Sequence, residues 1–168
     1  MASNKLSMGE MMKINKIAIM FSIICAIVRL SAQEISVPEP IERVLNKANL
    51  KKEGIAIIAF LNPGECVKCN LVLSSSIKWI KKSMTRQRVK FAGFVRCQRE
   101  IDLKQYQPDY PLFDMLFVNE GNTHMLMKLP PTIRVVICDY RGRILGVISD
   151  EEYFGDIQSA FKRILKIK

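Results

Sequence analysis

Residues 55–69 read IAIIAFLNPGECVKC and contain the most specific indication of the fold in this sequence. Its first seven residues are all apolar, as expected of a strand that is covered on both faces in the middle of a sheet. A short polar loop follows, and then Cys66 and Cys69 stand with Val67 and Lys68 between them. A helix is predicted to begin near Asn70, because apolar residues then recur at helical spacing: Leu73, Ile77, Ile80 and Met84.

The two cysteines therefore belong to a strand-to-helix junction. Unpaired backbone N–H groups and the positive end of the helix macrodipole stabilise a thiolate on the first turn of a helix. A lower pKa makes such a thiol nucleophilic. A CxxC motif at this position indicates a redox dithiol, with a structural disulfide or half of a metal site as the alternatives.

The remaining pattern predicts further strands at residues 89–96, 132–138 and 143–148, with the first strand, 55–61, between the second and the third. Residues 139–142 read DYRG, a tight turn whose glycine permits positive φ. Ser149 and Glu152 form a capping box for a final helix. A first helix is predicted after Pro40, and residues 112–117 are predicted to form a short buried helix.

The N-terminus has the pattern of a secretory leader. Residues 17–28 are apolar, Lys13 and Lys16 precede them, and Leu30-Ser31-Ala32 follows. We expect a signal peptide over residues 1–32, a linker over 33–40 and one domain over 41–168. The protein would then be exported, periplasmic or secreted; the alternative is a membrane anchor retained through residues 17–28.

The formal net charge is +10. Without residues 1–32, which hold four Lys or Arg and one acid, the balance is 22 basic to 15 acidic residues. The basic side chains are spread over helix faces and helix ends, where the macrodipole favours them. They carry no interleaved aromatic platform, so no nucleic-acid partner is predicted.

The order β, α with CxxC, β, helical connection, Pro-Thr, β-hairpin, α resembles the thioredoxin superfamily over about residues 41–168. The resemblance rests on Cys66-Val67-Lys68-Cys69 and on Leu129-Pro130-Pro131-Thr132. It implies an α/β thioredoxin-like fold with a central mixed four-stranded sheet flanked by helices. It also implies that Cys66 is the attacking thiol, that Cys69 is the resolving thiol, and that a cis Pro131 shapes the substrate groove with Pro130 and Thr132.

The remaining candidates are less specific. Cys97 ends the second strand and should lie on the side of the dithiol, as a third thiol, a metal ligand or a small buried hydrophobe. Cys138 should lie at the far end of the sheet, which argues against a four-cysteine zinc site. His124 has no ligand-spaced partner and is interpreted as a surface histidine.

The leading hypothesis is a thiol-disulfide oxidoreductase that exchanges its own dithiol with protein disulfides or dithiols. It needs no separate cofactor, it needs a redox partner that recharges the dithiol, and it is expected to be a monomer. The runner-up is a non-catalytic interaction domain with a static Cys66–Cys69 disulfide. A zinc module that uses Cys66, Cys69 and Cys97 is the third alternative.

Overall fold

The computed structural model describes residues 36–50, 54–64, 67–85 and 88–167, and for residues 67–70 it describes the backbone. The chain divides into two compact units, residues 1–36 and 37–168, and the elements below belong to the second. In chain order they are α1 (Glu39–Ala48), β1 (Ile55–Leu61), α2 (Val67–Ser83), β2 (Val89–Val95), a 3-10 turn (Glu100–Asp102), α3 (Leu103–Tyr106), β3 (Met115–Val118), α4 (Thr123–Leu126), β4 (Ile133–Asp139), β5 (Ile144–Ser149) and α5 (Asp150–Leu165). The predicted leader, residues 1–32, lies outside the described residues.

The strands form one sheet in the order β3-β2-β1-β4-β5. β1 pairs parallel with β2 and antiparallel with β4, so the predicted central position of β1 is confirmed. β2 pairs parallel with β3, and β4 pairs antiparallel with β5. The predicted class, a mixed sheet flanked by helices, is correct, although the sheet has five strands where four were predicted.

The additional strand, β3, corrects the predicted helix over residues 112–117. Asp114 fixes the pairing at its start, because Phe91 N donates to Asp114 Oδ2 at 2.8 Å and Asp114 N donates to Phe91 O at 2.9 Å. Lys90 Nζ lies 3.2 Å from Asp114 Oδ1. The apolar residues that follow, Met115–Val118, therefore pair with β2 as a strand. A short apolar run is compatible with either a buried helix or a strand, and here the neighbouring edge decides.

The sheet carries a core on each face. Alternate side chains of β1 enter different cores, as the pleat requires. One core contains Ile57, Ala59 and Leu61 with α2 and α5 residues, including Leu73, Ile77, Ile80, Ile157 and Phe161. The other contains Ala56, Ile58 and Phe60 with α1 residues, including Ile41 and Val44. β1 is therefore covered on both faces.

Two local predictions at the end of the chain are also confirmed. Gly142 closes the β4–β5 turn with φ of 80°, a conformation that favours glycine. Ser149 caps α5, accepting from Glu152 N, while Glu152 accepts from Ser149 N. α5 is kinked at Asp156, whose carboxylate accepts from Ser159 N at 3.0 Å and so caps the second segment of the helix.

Candidate functional site

The CxxC motif is described in part. Cys66 lies outside the described residues, whereas the backbone of Cys69 belongs to the first turn of α2, which begins at Val67. β1 ends at Leu61, and Gly64 N donates to Asn62 Oδ1 at 3.2 Å in the loop between strand and helix. The structure thus joins the central strand to α2 through a short loop, and the motif follows that loop in the sequence.

The first turn of α2 carries no acidic side chain, and Lys81 and Lys82 lie in its last turn. An acid on the first turn would have offset the positive end of the macrodipole. No side chain on the first turn of α2 does so.

Pro131 differs from the expectation. No peptide bond among the described residues is cis, so the predicted cis Pro131 is wrong. Ile133 N donates to Pro130 O at 3.1 Å, which places Pro131 at the second position of a hydrogen-bonded turn. Proline suits that position with a trans bond, whereas a cis proline needs the third position. Pro130, Pro131 and Thr132 are all exposed, and they directly precede β4.

A pocket of about 340 Å³ opens where β1, β2 and β3 end and β4 begins. Carboxyl ends of parallel strands meet at one edge of a sheet, and ligands bind there in many α/β folds. The lining comprises Phe60, Leu61, Asn62, Arg96, Asn119, Gly121, His124, Pro131, Ile133 and Arg134. Pro131 is therefore part of a concave surface at the edge from which the loop to α2 departs.

His124 is not the surface histidine that the sequence suggested. Its ring stacks on Phe60 with 3.8 Å between centroids and an angle of 26° between planes. Nε2 lies 2.8 Å from Ile133 O, and because a carbonyl only accepts, this nitrogen carries a proton. The ring is half-buried and forms part of the pocket wall. Prolines at 108 and 111 obscure the periodicity of this segment, so no sequence pattern could have placed His124 there.

Arg96 is the second lining residue that the sequence interpretation missed. It follows β2 directly, and its backbone N donates to Leu61 O at 3.0 Å, which extends the β1–β2 pairing by one residue. The position of Arg96 directly after a parallel strand could have predicted its place in the pocket, because residues that follow parallel strands lie together at the carboxyl edge of the sheet.

The two described cysteines lie at opposite ends of the sheet, as predicted. Cys97 follows β2 at the carboxyl edge of the sheet and is half-buried, and its Sγ lies 3.7 Å from Arg99 O. Burial, and then the charge of Asp102, raise the pKa of the Cys97 thiol. Cys138 pairs with Ala56 at the start of β1. Among the described residues, no three His, Cys, Asp or Glu side chains form a metal-binding group.

Comparisons with known proteins agree with this architecture. The structure is similar to that of an uncharacterised thioredoxin-like protein from Porphyromonas gingivalis, with a TM-score of 0.51 and 16% identity over 69% of this chain and 76% of that chain. A thiol:disulfide interchange protein from Bacteroides sp. gives a TM-score of 0.45 and 15% identity over 67% and 74% of the two chains. MTB dsbF, in mixed oxidised and reduced forms, gives 0.45 and 17% over 68% and 80%. Neither the protein-family models nor the curated proteins gave a match.

These observations define the fold class of the protein. The mixed sheet with a parallel β1–α2–β2 crossover, an antiparallel β4–β5 hairpin and a closing helix is thioredoxin-like. The predicted resemblance is thus confirmed for the architecture.

Proposed function

We propose that the protein is an exported thiol-disulfide oxidoreductase in which Cys66 attacks and Cys69 resolves. The observation that carries the proposal is the position of residue 69 on the first turn of α2, directly after the central strand of a thioredoxin-like sheet. The macrodipole favours a thiolate at this turn.

The exchange would proceed in two displacements. The Cys66 thiolate attacks one sulfur of a substrate disulfide, a mixed disulfide forms, and the other substrate sulfur leaves as a thiolate. The Cys69 thiolate then attacks the Cys66 sulfur, which releases the second substrate sulfur and leaves a Cys66–Cys69 disulfide. The substrate gains two electrons, the protein loses two, and a redox partner must reduce the protein again. Run in reverse, the same steps oxidise a substrate.

Substrate binding would involve the turn at Pro130, Pro131 and Thr132, which is accessible at the pocket edge. Pro130 and Pro131 have no backbone N–H, and Pro130 O and Thr132 O already accept from Ile133 N and Asp150 N. The main chain of this turn therefore has little to offer an incoming peptide. Recognition would depend on side chains and on the shape of the groove.

Export is part of the proposal and rests on the leader pattern of residues 1–32. In the portion of the chain that the structure describes, no helix has the length and apolar character needed to cross a bilayer. N-terminal sequencing of protein recovered outside the cytoplasm tests this part. We expect a new terminus at Gln33 after cleavage behind Ala32.

The activity is tested by insulin reduction with the full chain and dithiothreitol as the reductant. Cys66→Ser should abolish the acceleration, and Cys69→Ser should accumulate mixed disulfides that reducing agents release. Cys97→Ser is the matched control, because it removes a thiol at the same edge of the sheet, and it should leave the rate unchanged. If wild type does not accelerate the reaction while its Cys66–Cys69 disulfide stays intact, the static interaction domain is the better assignment.

A further inference from the structure

We propose that the pocket lined by Arg96, Asn62, Asn119 and His124 is a binding site for a carboxylate carried on a ligand with an apolar portion. None of the described lining residues is a cysteine, and the site shares Pro131 with the turn proposed to bind substrate, so a ligand here would lie next to that turn. Its volume of about 340 Å³ suits a few side chains of a peptide or a small organic acid.

Asn62 and Asn119 each have a side-chain NH2 group that can donate to a ligand. Asn62 Oδ1 accepts from Gly64 N at 3.2 Å, and Asn119 Oδ1 accepts from Gly121 N at 3.1 Å. With both amide oxygens engaged, the group that each side chain offers a ligand is its NH2 donor. The proton on His124 Nε2 is directed at Ile133 O, which holds the ring in the wall.

Arg96 supplies the charge. Its side chain is exposed, and its backbone is held against β1 by the hydrogen bond to Leu61 O. Arg134, the other cation of the lining, is already paired with Asp150. Among the described residues that line the pocket, none is an Asp or Glu that could neutralise Arg96. A pocket with fixed donors and one available guanidinium matches an acceptor-only ligand group such as a carboxylate.

The other wall is apolar. Phe60, Leu61 and Ile133 contribute little-exposed hydrophobic surface, and Pro131 completes the rim. Hydrophobic walls with a few convergent polar groups are typical of ligand sites. The ligand therefore needs an apolar portion next to its carboxylate. An acidic residue flanked by aliphatic residues in a polypeptide has this chemistry, and so does a free short-chain carboxylic acid.

The test is an NMR titration of the full chain carrying Cys66→Ser and Cys69→Ser, so that no thiol exchange contributes. The probes are the peptide acetyl-Gly-Leu-Glu-Leu-Gly-amide, its counterpart with Gln in place of Glu, and sodium propionate. We expect the Glu peptide to bind roughly tenfold more tightly than the Gln peptide, with affinity falling as NaCl is added. Perturbed amides should include those of Arg96 and Asn119.

Arg96→Gln should weaken binding of the Glu peptide by roughly fivefold or more, and Arg96→Lys should restore part of the affinity. Arg88→Gln is the matched control, because it removes the same charge from another exposed residue. Arg88 directly precedes β2, whereas Arg96 directly follows it. Arg88→Gln should leave affinity within about twofold. If propionate competes as well as the peptide, the ligand is a small acid; if only the peptide binds, it is a polypeptide.

Equal binding of the Glu and Gln peptides, or equal losses in Arg96→Gln and Arg88→Gln, would overturn the proposal. Because both motif cysteines are absent from the titrated protein, this outcome is independent of insulin reduction. The carboxylate site can therefore fail while the redox proposal stands, and the reverse holds too.

Discussion

At the scale of single residues, His124 stabilises the fold through two contacts that a smaller side chain would lose. It stacks on Phe60 and bonds to Ile133 O. We expect His124→Ala to lower the free energy of unfolding by roughly 1–3 kcal/mol, the sum of a ring contact and one hydrogen bond. Urea denaturation followed by circular dichroism measures the change.

His124→Phe separates the two contributions, because it keeps a ring against Phe60 and removes the bond to Ile133 O. Its loss should be about half that of His124→Ala. If both variants unfold at the wild-type urea concentration, the stacking and the hydrogen bond contribute nothing to stability.

Cys138 makes the free energy of unfolding depend on pH in the alkaline range. Burial, with a smaller contribution from the charge of Asp139, raises the pKa of the Cys138 thiol from 9.0 to about 12. Between these values the unfolded chain releases the proton while the folded chain keeps it, so the free energy of unfolding falls as pH rises from about 9 to about 12. Urea denaturation at pH values from about 8 to about 11 should show this decline.

Cys138→Val provides the comparison, because valine fills a similar volume and does not titrate. Its free energy of unfolding should decline less steeply over the same alkaline range than that of wild type. Identical slopes for the two proteins would mean that the Cys138 proton is not linked to folding.

At the scale of elements, α5 depends on its capping box. Ser149 Oγ accepts from Glu152 N at 3.4 Å, and Glu152 accepts in return from Ser149 N at 3.3 Å. Ser149→Ala should cost about 1 kcal/mol of stability. The same substitution at the exposed helical position Ser75 is the control, and it should be neutral or slightly stabilising. An equal effect at both positions in thermal unfolding would exclude a specific role for the cap.

The elements also show what sequence patterns can and cannot predict. β1 and the Ser149–Glu152 box were predictable because each signal is local: seven apolar residues in a row, and two capping residues three apart. β3 was not, since its four residues are a strand only because β2 offers them an edge. The prediction for Pro131 was wrong for a similar reason, because the hydrogen bond that defines its turn cannot be inferred from the Pro-Thr pair.

The candidate site was predictable in the same partial way. The strand-to-helix position of the motif followed from the sequence, whereas the pocket at the carboxyl edge of the sheet required the loops after three strands to be placed together. Arg96 and His124 belong to different segments, and no sequence pattern predicts the distance between those segments in the fold. The position of residue 69 in a helix after the central strand was therefore predictable, whereas the pocket at the same edge of the sheet was not.

At the scale of the whole molecule, the position of β1 predicts an order of local stability. β1 is paired on both edges and covered on both faces, whereas β5 is an edge strand with exposed residues at its start. Amides that open only with global unfolding exchange most slowly. Hydrogen exchange followed by mass spectrometry should find residues 55–61 most protected and residues 144–149 less so. Equal protection of the two strands would contradict this order.

The two neighbours of β1 also become available at different times during synthesis. β2 follows β1 after one helix, but β4 is made only after most of the domain has been translated. Until then a nascent chain that has paired β1 with β2 presents the other edge of an entirely apolar strand to its surroundings, and such an edge readily recruits foreign strands. The growing polypeptide therefore passes through an interval of vulnerability that ends when residues 133–139 emerge, and a chaperone that masks strand edges would be needed most during that interval.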